Sequence, residues 1–264
     1  VVGAGVQSLL HILCPMVRDR KNAYFYNPGF RQGRTIFEDF EFRTGGMRSA
    51  REAGGPDSGS ICYLTPSQMT VWGEVMHITE RMDLLKEAFE KDILIIEDDY
   101  NSEFRYYNRP TPSLQGLAGG RGVVYLGTFS RLLLPSIRMS FMVLPPELLP
   151  VYRERSRYYN QTSSKTEQIA LCQFIRDGHL ESQIRKARKL YTAKAKKLCE
   201  DIGRIFGDRA VPHLGEAGFL VLAEIRTELT SEEIARKAAH AGIAVRAVVP
   251  EEGKRGESMK PRIL

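Results

Sequence analysis

The 264-residue chain is poor in the residues that build metal centres and covalent staples. Its four cysteines, Cys14, Cys62, Cys172 and Cys199, stand far apart with no ligand-like spacing, which argues against a zinc knuckle or a disulfide scaffold. Buried thiols are expected instead. No apolar run reaches membrane-spanning length, and the opening Val1-Val2-Gly3-Ala4-Gly5 has no basic leader, so a cytoplasmic protein without a membrane partner is expected. The charge excess is modest, +6 with a pI near 9.1, and much of it sits at Arg185, Lys186, Arg188 and Lys189 and at Lys194, Lys196 and Lys197. No aromatic residues interleave these cations, which predicts a solvated helix face rather than a nucleic-acid surface. Metal binding by the adjacent Asp98 and Asp99 is not expected either, because neighbours on a strand point to opposite faces.

What is present is a hydrophobic fraction of 42% in regular patterns, enough for a substantial core. Apolar runs predict strands over 23–26, 61–64, 93–96, 123–126 and 139–144, separated by turns and helical segments such as 34–39 and 82–89. Asn27-Pro28-Gly29 closes the first of them, and Gly45-Gly46 together with 54–59 reads as a polar connection. The alternation predicts an α/β fold, a mainly parallel sheet with helices on both faces, over 1–150. From 147 onward the pattern turns helical. Leu180, Ile184, Ala187, Tyr191, Ala195, Leu198 and Ile202 form one apolar stripe on a long helix, with His179 at its start and Gly178 ending the helix before it. Strands over 218–225 and 243–248 around a helix over 231–241 then make a smaller α/β domain, so that 151–264 holds the long helix and this domain.

Three places carry chemistry. The strand over 123–126 ends in Gly127-Thr128-Phe129-Ser130, and carboxyl ends of strands are where open α/β sheets hold ligands. Thr128 and Ser130 with Arg138 make a compact phosphate acceptor. The glycine-rich turn before Leu9 opens onto a helix, whose first backbone N–H groups suit an anion; it is not a dinucleotide fingerprint, because Ser8 stands where the third glycine belongs and no strand is expected before it. Glu97, Asp98, Asp99 and Tyr100 follow a buried strand, where four polar side chains are too costly to be core, so they should line a site. Residues two apart share a face, which lets Asp98 and Tyr100 converge.

The run Gly127-Thr128-Phe129-Ser130-x-x-Leu133-Leu134-Pro135-Ser136-x-Arg138 resembles the cofactor-lysine motif of fold type I pyridoxal-phosphate proteins, in the version carried by MocR/GabR transcriptional regulators. Residues 97–106 and 168–191 are similar to the same family. The resemblance implies a fold type I pyridoxal-phosphate-dependent transferase-like fold, pyridoxal 5'-phosphate as cofactor, an amino acid or amine as effector, and a homodimer. It implies that Asp98 holds the pyridine nitrogen and Tyr100 the ring oxygen, that Phe30 stacks on the ring, and that the amides of Gly5, Val6 and Gln7 meet the phosphate. Arg262 would clamp a substrate carboxylate, and the role of Gln32 stays open. Two departures matter. Arg131 stands where the family has its Schiff-base lysine, and Gln68-Met69-Thr70-Val71-Trp72-Gly73 lacks the family's proline, with Gln68 a weak substitute for its donor to the ring oxygen.

The expected function is therefore the effector-sensing domain of a MocR/GabR-type regulator, without catalysis. A guanidinium stays protonated and cannot supply the neutral amine of Schiff-base chemistry. The alternatives are an aminotransferase acting on an amino acid, or a degenerate module kept for dimerisation. Such regulators begin with a winged helix-turn-helix; the chain reads as a fragment without it, and DNA contact is expected only through that domain.

Overall fold

The computed structural model describes residues 1–26, 30–47, 55–106, 111–248 and 261–264. The turn expected at Asn27, Pro28 and Gly29, together with Gly54, Arg109 and Pro110 of the expected loops, lies outside these residues. Two compact units divide the chain. The first takes 1–69, 75–103 and 109–184, the second 70–74, 104–108 and 185–264, a different division from a boundary at 150/151.

Unit 1 is built on a seven-stranded sheet. Its strands are β1 (Val2–Gly3), β2 (Asn22–Tyr26), β3 (Arg43–Met47), β4 (Ile61–Leu64), β5 (Leu94–Asp99), β6 (Val123–Thr128) and β7 (Ser140–Val143), in the spatial order β1-β7-β6-β5-β4-β2-β3. Pairs from β3 through β6 are parallel, while β7 runs antiparallel to both β6 and β1. Helices α1 (Val6–Leu13), α2 (Arg31–Asp39), α3 (Ile78–Glu90), α4 (Leu114–Leu117), α5 (Leu149–Arg155) and α6 (Lys165–Arg176) accompany the sheet. Leu9, Leu10 and Leu13 of α1 pack with Ile36 and Phe37 of α2 in one apolar cluster; Leu84 and Ala88 of α3 pack with Cys62, Ile95 and Val123 in the other. The inner parallel strands β4, β5 through Ile96 and β6 through Leu126 are apolar and largely buried, as their continuous runs predicted.

Two expectations change here. A strand does precede the glycine-rich turn: β1 pairs Val2 with Phe141 and Gly3 with Ser140. Gly45 and Gly46 are no mere connection but the middle of β3, opposite Tyr24 and Phe25. Backbone amides alone suffice for an edge strand, and apolar patterning is silent about strands made of glycine. The cysteines also divide: Cys14 and Cys62 are buried, whereas Cys172 is exposed and Cys199 half-buried.

Unit 2 holds most of the long helix α7 (His179–Phe206), whose residues are shared between the units, and the four-stranded sheet β10-β11-β9-β8. Its strands are β8 (Ala210–His213), β9 (Leu222–Ile225), β10 (Ala247–Val248) and β11 (Arg262–Ile263), and all three pairings are antiparallel. Helix α8 (Ser231–His240) starts with a capping box in which Thr230 and Glu233 each accept the other's backbone N–H, at 3.2 and 2.8 Å. Tyr191 of the α7 stripe packs with Phe104 and Phe219, and the Tyr106 hydroxyl donates to the Gly218 carbonyl at 2.6 Å. The strand expected over 218–225 begins only at Leu222, since Gly218 sits at φ +97.

Candidate functional site

The carboxyl ends of β1, β5 and β6 and the start of β7 lie on one edge of the unit 1 sheet, because β7 runs against its neighbours. β5 brings Glu97, Asp98 and Asp99 to that edge, with Tyr100 just after it, and strand alternation splits the three acids. Glu97 turns to one face, where its carboxylate accepts the Leu114 and Gln115 amides of α4 at 2.9 and 3.0 Å and faces the buried Arg81 at 3.5 Å. Burial still holds its carboxyl above the usual value. Asp99 accepts the Ser67 and Tyr125 hydroxyls at 2.6 and 2.7 Å and the Ser102 amide at 3.1 Å. These two acids are structural, which corrects the expectation that all four line a site.

Asp98 is different. It is only 6% exposed, one of its oxygens accepts the Tyr63 hydroxyl at 2.6 Å, and the other, Oδ1, is buried without a hydrogen-bond partner. A buried oxygen left in this state is costly unless a ligand group meets it. Burial pushes the carboxyl up to about 6, outweighing the opposing effects of the Tyr63 bond and the Arg131 charge. Tyr63 stacks between Phe25 and Phe30, at 5.1 and 6.2 Å, so the aromatic chosen for ring stacking packs on the residue that holds Asp98. Phe30 also lies against Gly33, where a β-carbon would stand 2.6 Å from its ring.

Tyr100 follows β5, and its phenol is pushed up to about 12, first by burial. Arg131 lies over its ring, 4.8 Å from the centroid, and donates to Asn101 Oδ1 at 3.3 Å. Asn101 is fully buried and also meets the Gln68 amide. Gln68 is thus spent on Asn101.

On β6 and beyond, the Thr128 hydroxyl accepts from the Ser140 hydroxyl at 2.9 Å and from the Ser130 amide at 3.3 Å, which makes it a brace for the turn. The Ser130 hydroxyl is buried without a partner. Arg138 adopts a left-handed conformation, φ 43 and ψ 34, two residues before the start of β7. Its guanidinium rests on Gly5, where a β-carbon would collide with it, and Gly5 itself has φ +90. The Gly5 amide is taken by the Gly3 carbonyl at 2.9 Å, so the free donors of this turn are the first-turn amides of α1 at Val6 and Gln7, which have no intrahelical acceptor. Helix start, glycine and arginine meet because β1 pairs with β7.

Asp98, Tyr100, Arg131 and Ser130 therefore gather around adjacent strand tips, with Gly5 and Arg138 at the neighbouring pair. Arg262 belongs to unit 2, where β11 holds it and both Nε and Nη2 donate to Glu224 at 3.0 and 2.7 Å. Gln32 is exposed on α2, and His179 opens α7. Sequence reasoning missed Tyr63, Asn101 and Arg81. Tyr63 sits inside an apolar strand and carries no signal, whereas Asn101, directly after the acidic run, was open to notice. Among the described residues no group of histidine, cysteine and carboxylate side chains is arranged to hold a metal, and no helix is long and apolar enough to cross a membrane.

No family model matches the chain. It is 38% identical to the HTH-type transcriptional regulator YhdI of Bacillus subtilis over 256 residues, 95% of this chain and 54% of that protein. It is 32% identical to the probable rhizopine catabolism regulatory protein MocR of Rhizobium meliloti over 183 residues, 69% of this chain and 37% of that one. The chain thus spans about half the length of YhdI, and less of MocR. Among solved structures, LysN of Thermus thermophilus, an alpha-aminoadipate aminotransferase complexed with N-(5'-phosphopyridoxyl)-L-leucine, superposes with a TM-score of 0.75 at 22% identity, over 100% of this chain and 71% of its own. That likeness establishes an aminotransferase fold of fold type I.

Proposed function

From a chain that carries the aminotransferase-like domain of the MocR/GabR-type regulators, we propose a pyridoxal-phosphate-binding, effector-sensing role without transaminase chemistry. The observation that carries the proposal is the buried, unpartnered Oδ1 of Asp98 at the sheet edge that also presents Gly5, Ser130 and Arg138. These residues fit the group. Asp98 would hold the pyridine nitrogen and Tyr100 the phenolic oxygen; Ser130, Arg138 and the amides of Val6 and Gln7 would hold the phosphate, with Gly5 leaving room for the guanidinium and Thr128 bracing the turn. Phe30, which backs Tyr63, would stack on the ring. When bound, the cofactor supplies an aldehyde and an electron-withdrawing ring. The chain supplies orientation: a carboxylate beside the nitrogen favours the pyridinium, and the helix start and guanidinium favour the phosphate dianion.

The residue at the lysine position supports a reading without turnover. Arg131 has no nucleophilic amine at neutral pH, so the cofactor is gripped by phosphate and ring contacts alone. In the whole protein we propose an amino acid or amine as effector, a homodimeric assembly, and DNA contact through a separate helix-turn-helix domain. Titration of the protein with pyridoxal phosphate, followed by absorbance and equilibrium dialysis, tests the reading. Saturable binding that borohydride does not fix is expected, with affinity lowered about 10- to 100-fold in Asp98→Asn, the range for a lost charge-assisted hydrogen bond. Arg131→Lys should convert the bound cofactor to a borohydride-fixable form. Equal binding by wild type and Asp98→Asn would remove the site assignment.

A further inference from the structure

Arg131 is a cation held at the ring-oxygen end of the proposed pocket, and this bears on which vitamin B6 phosphate the pocket accepts. Its guanidinium lies 4.8 Å from the Tyr100 ring centroid and bonds to Asn101, while Asn101 is itself buried against Gln68. On the pyridine ring the phenolic oxygen and the 4' substituent are neighbours, and the nitrogen lies para to the latter. A ligand that meets Asp98 through its nitrogen and Tyr100 through its oxygen therefore directs its 4' group toward Arg131 and away from the Asp98 carboxylate. The other nearby acid, Asp99, is committed to Ser67, Tyr125 and the Ser102 amide.

We infer that Arg131 makes this pocket selective for B6 phosphates whose 4' substituent is neutral or anionic, and set against the aminomethyl form, whose ammonium would face a guanidinium. Two like charges a few ångströms apart repel even in a partly solvated site, and the charges of Asp98 and Asp99, which also reach this end of the pocket, offset that repulsion only in part, since neither acid forms an ion pair with Arg131 among the described residues. The inference rests on the pyridoxal-phosphate reading above and deepens it. It makes the domain responsive to the chemical form of the cofactor, aldehyde or alcohol against amine.

The decisive comparison is between pyridoxine 5'-phosphate and pyridoxamine 5'-phosphate. They differ at the 4' carbon by hydroxyl against ammonium, and neither can condense with surface lysines. Equilibrium dialysis at pH 7.5 should give wild-type affinity for the alcohol at least about tenfold above that for the amine, a difference that modest like-charge repulsion produces. Arg131→Gln, checked for unchanged melting, should bring the two affinities within about twofold. Equal affinities in the wild type, or a ratio kept by Arg131→Gln, would overturn the inference and leave the cofactor reading standing. If neither phosphate binds, the cofactor reading itself fails and takes the inference with it.

Discussion

Asp98 concentrates the energetics of the site. Its carboxyl sits higher in the folded chain, at about 6, than the ordinary 3.8, so the folded state binds the extra proton between these values. The contribution to stability is complete below about pH 4 and is lost as pH rises through about 6, an effect on the order of 3 kcal/mol for two units of displacement. Melting of the ligand-free protein followed from pH 4 to 7 should therefore show Asp98→Asn gaining on the wild type as pH rises. In Tyr63→Phe the hydrogen bond that opposes burial is gone, so the same loss should move to higher pH. A pH-independent difference between Asp98→Asn and wild type would mean that the carboxyl is not buried as described.

Elements are positioned here by a few polar fastenings. Arg81, on α3, is 1% exposed and donates to the Met76, Pro112 and Pro66 carbonyls, each at 3.0 Å, besides facing Glu97. One guanidinium thus joins α3, the segment entering α4 and the loop after β4 to the strand that carries Asp98. Removing one member of a buried pair leaves the other charge uncompensated, so Arg81→Met should cost about 3–5 kcal/mol in chemical denaturation. At the start of α1, Gly5→Ala must place a β-carbon at positive φ against Arg138. Strain of this kind costs about 1–3 kcal/mol, and the displaced guanidinium should also weaken binding of pyridoxal phosphate, measurable by dialysis.

For the molecule as a whole, the ligand should stabilise unit 1 by mass action, about 2.7 kcal/mol at a hundredfold excess over its dissociation constant. Amide exchange should slow at the ends of β5 and β6 and at the first turn of α1, and stay unchanged in β8 and β9 of unit 2. Protection confined to unit 2 would contradict the placement of the site.

The amino-acid pattern was sufficient for the parallel strands β2, β4, β5 and β6, whose apolar runs mark them in the sequence, but not for β3, whose glycines carry no such signal. It was likewise sufficient for α6 and α7, through Gly178 and the apolar stripe. Tertiary structure alone decided which strand tips are neighbours. The β1–β7 pairing that lays Arg138 on Gly5, the Tyr63 bond to Asp98, the loss of Glu97 and Asp99 to internal partners and the swing of Arg131 onto Tyr100 join residues far apart in the chain, Tyr63 and Asp98 by 35 positions. Contacts of that range depend on the order in which crossovers place strands in the sheet, and no local periodicity encodes that order.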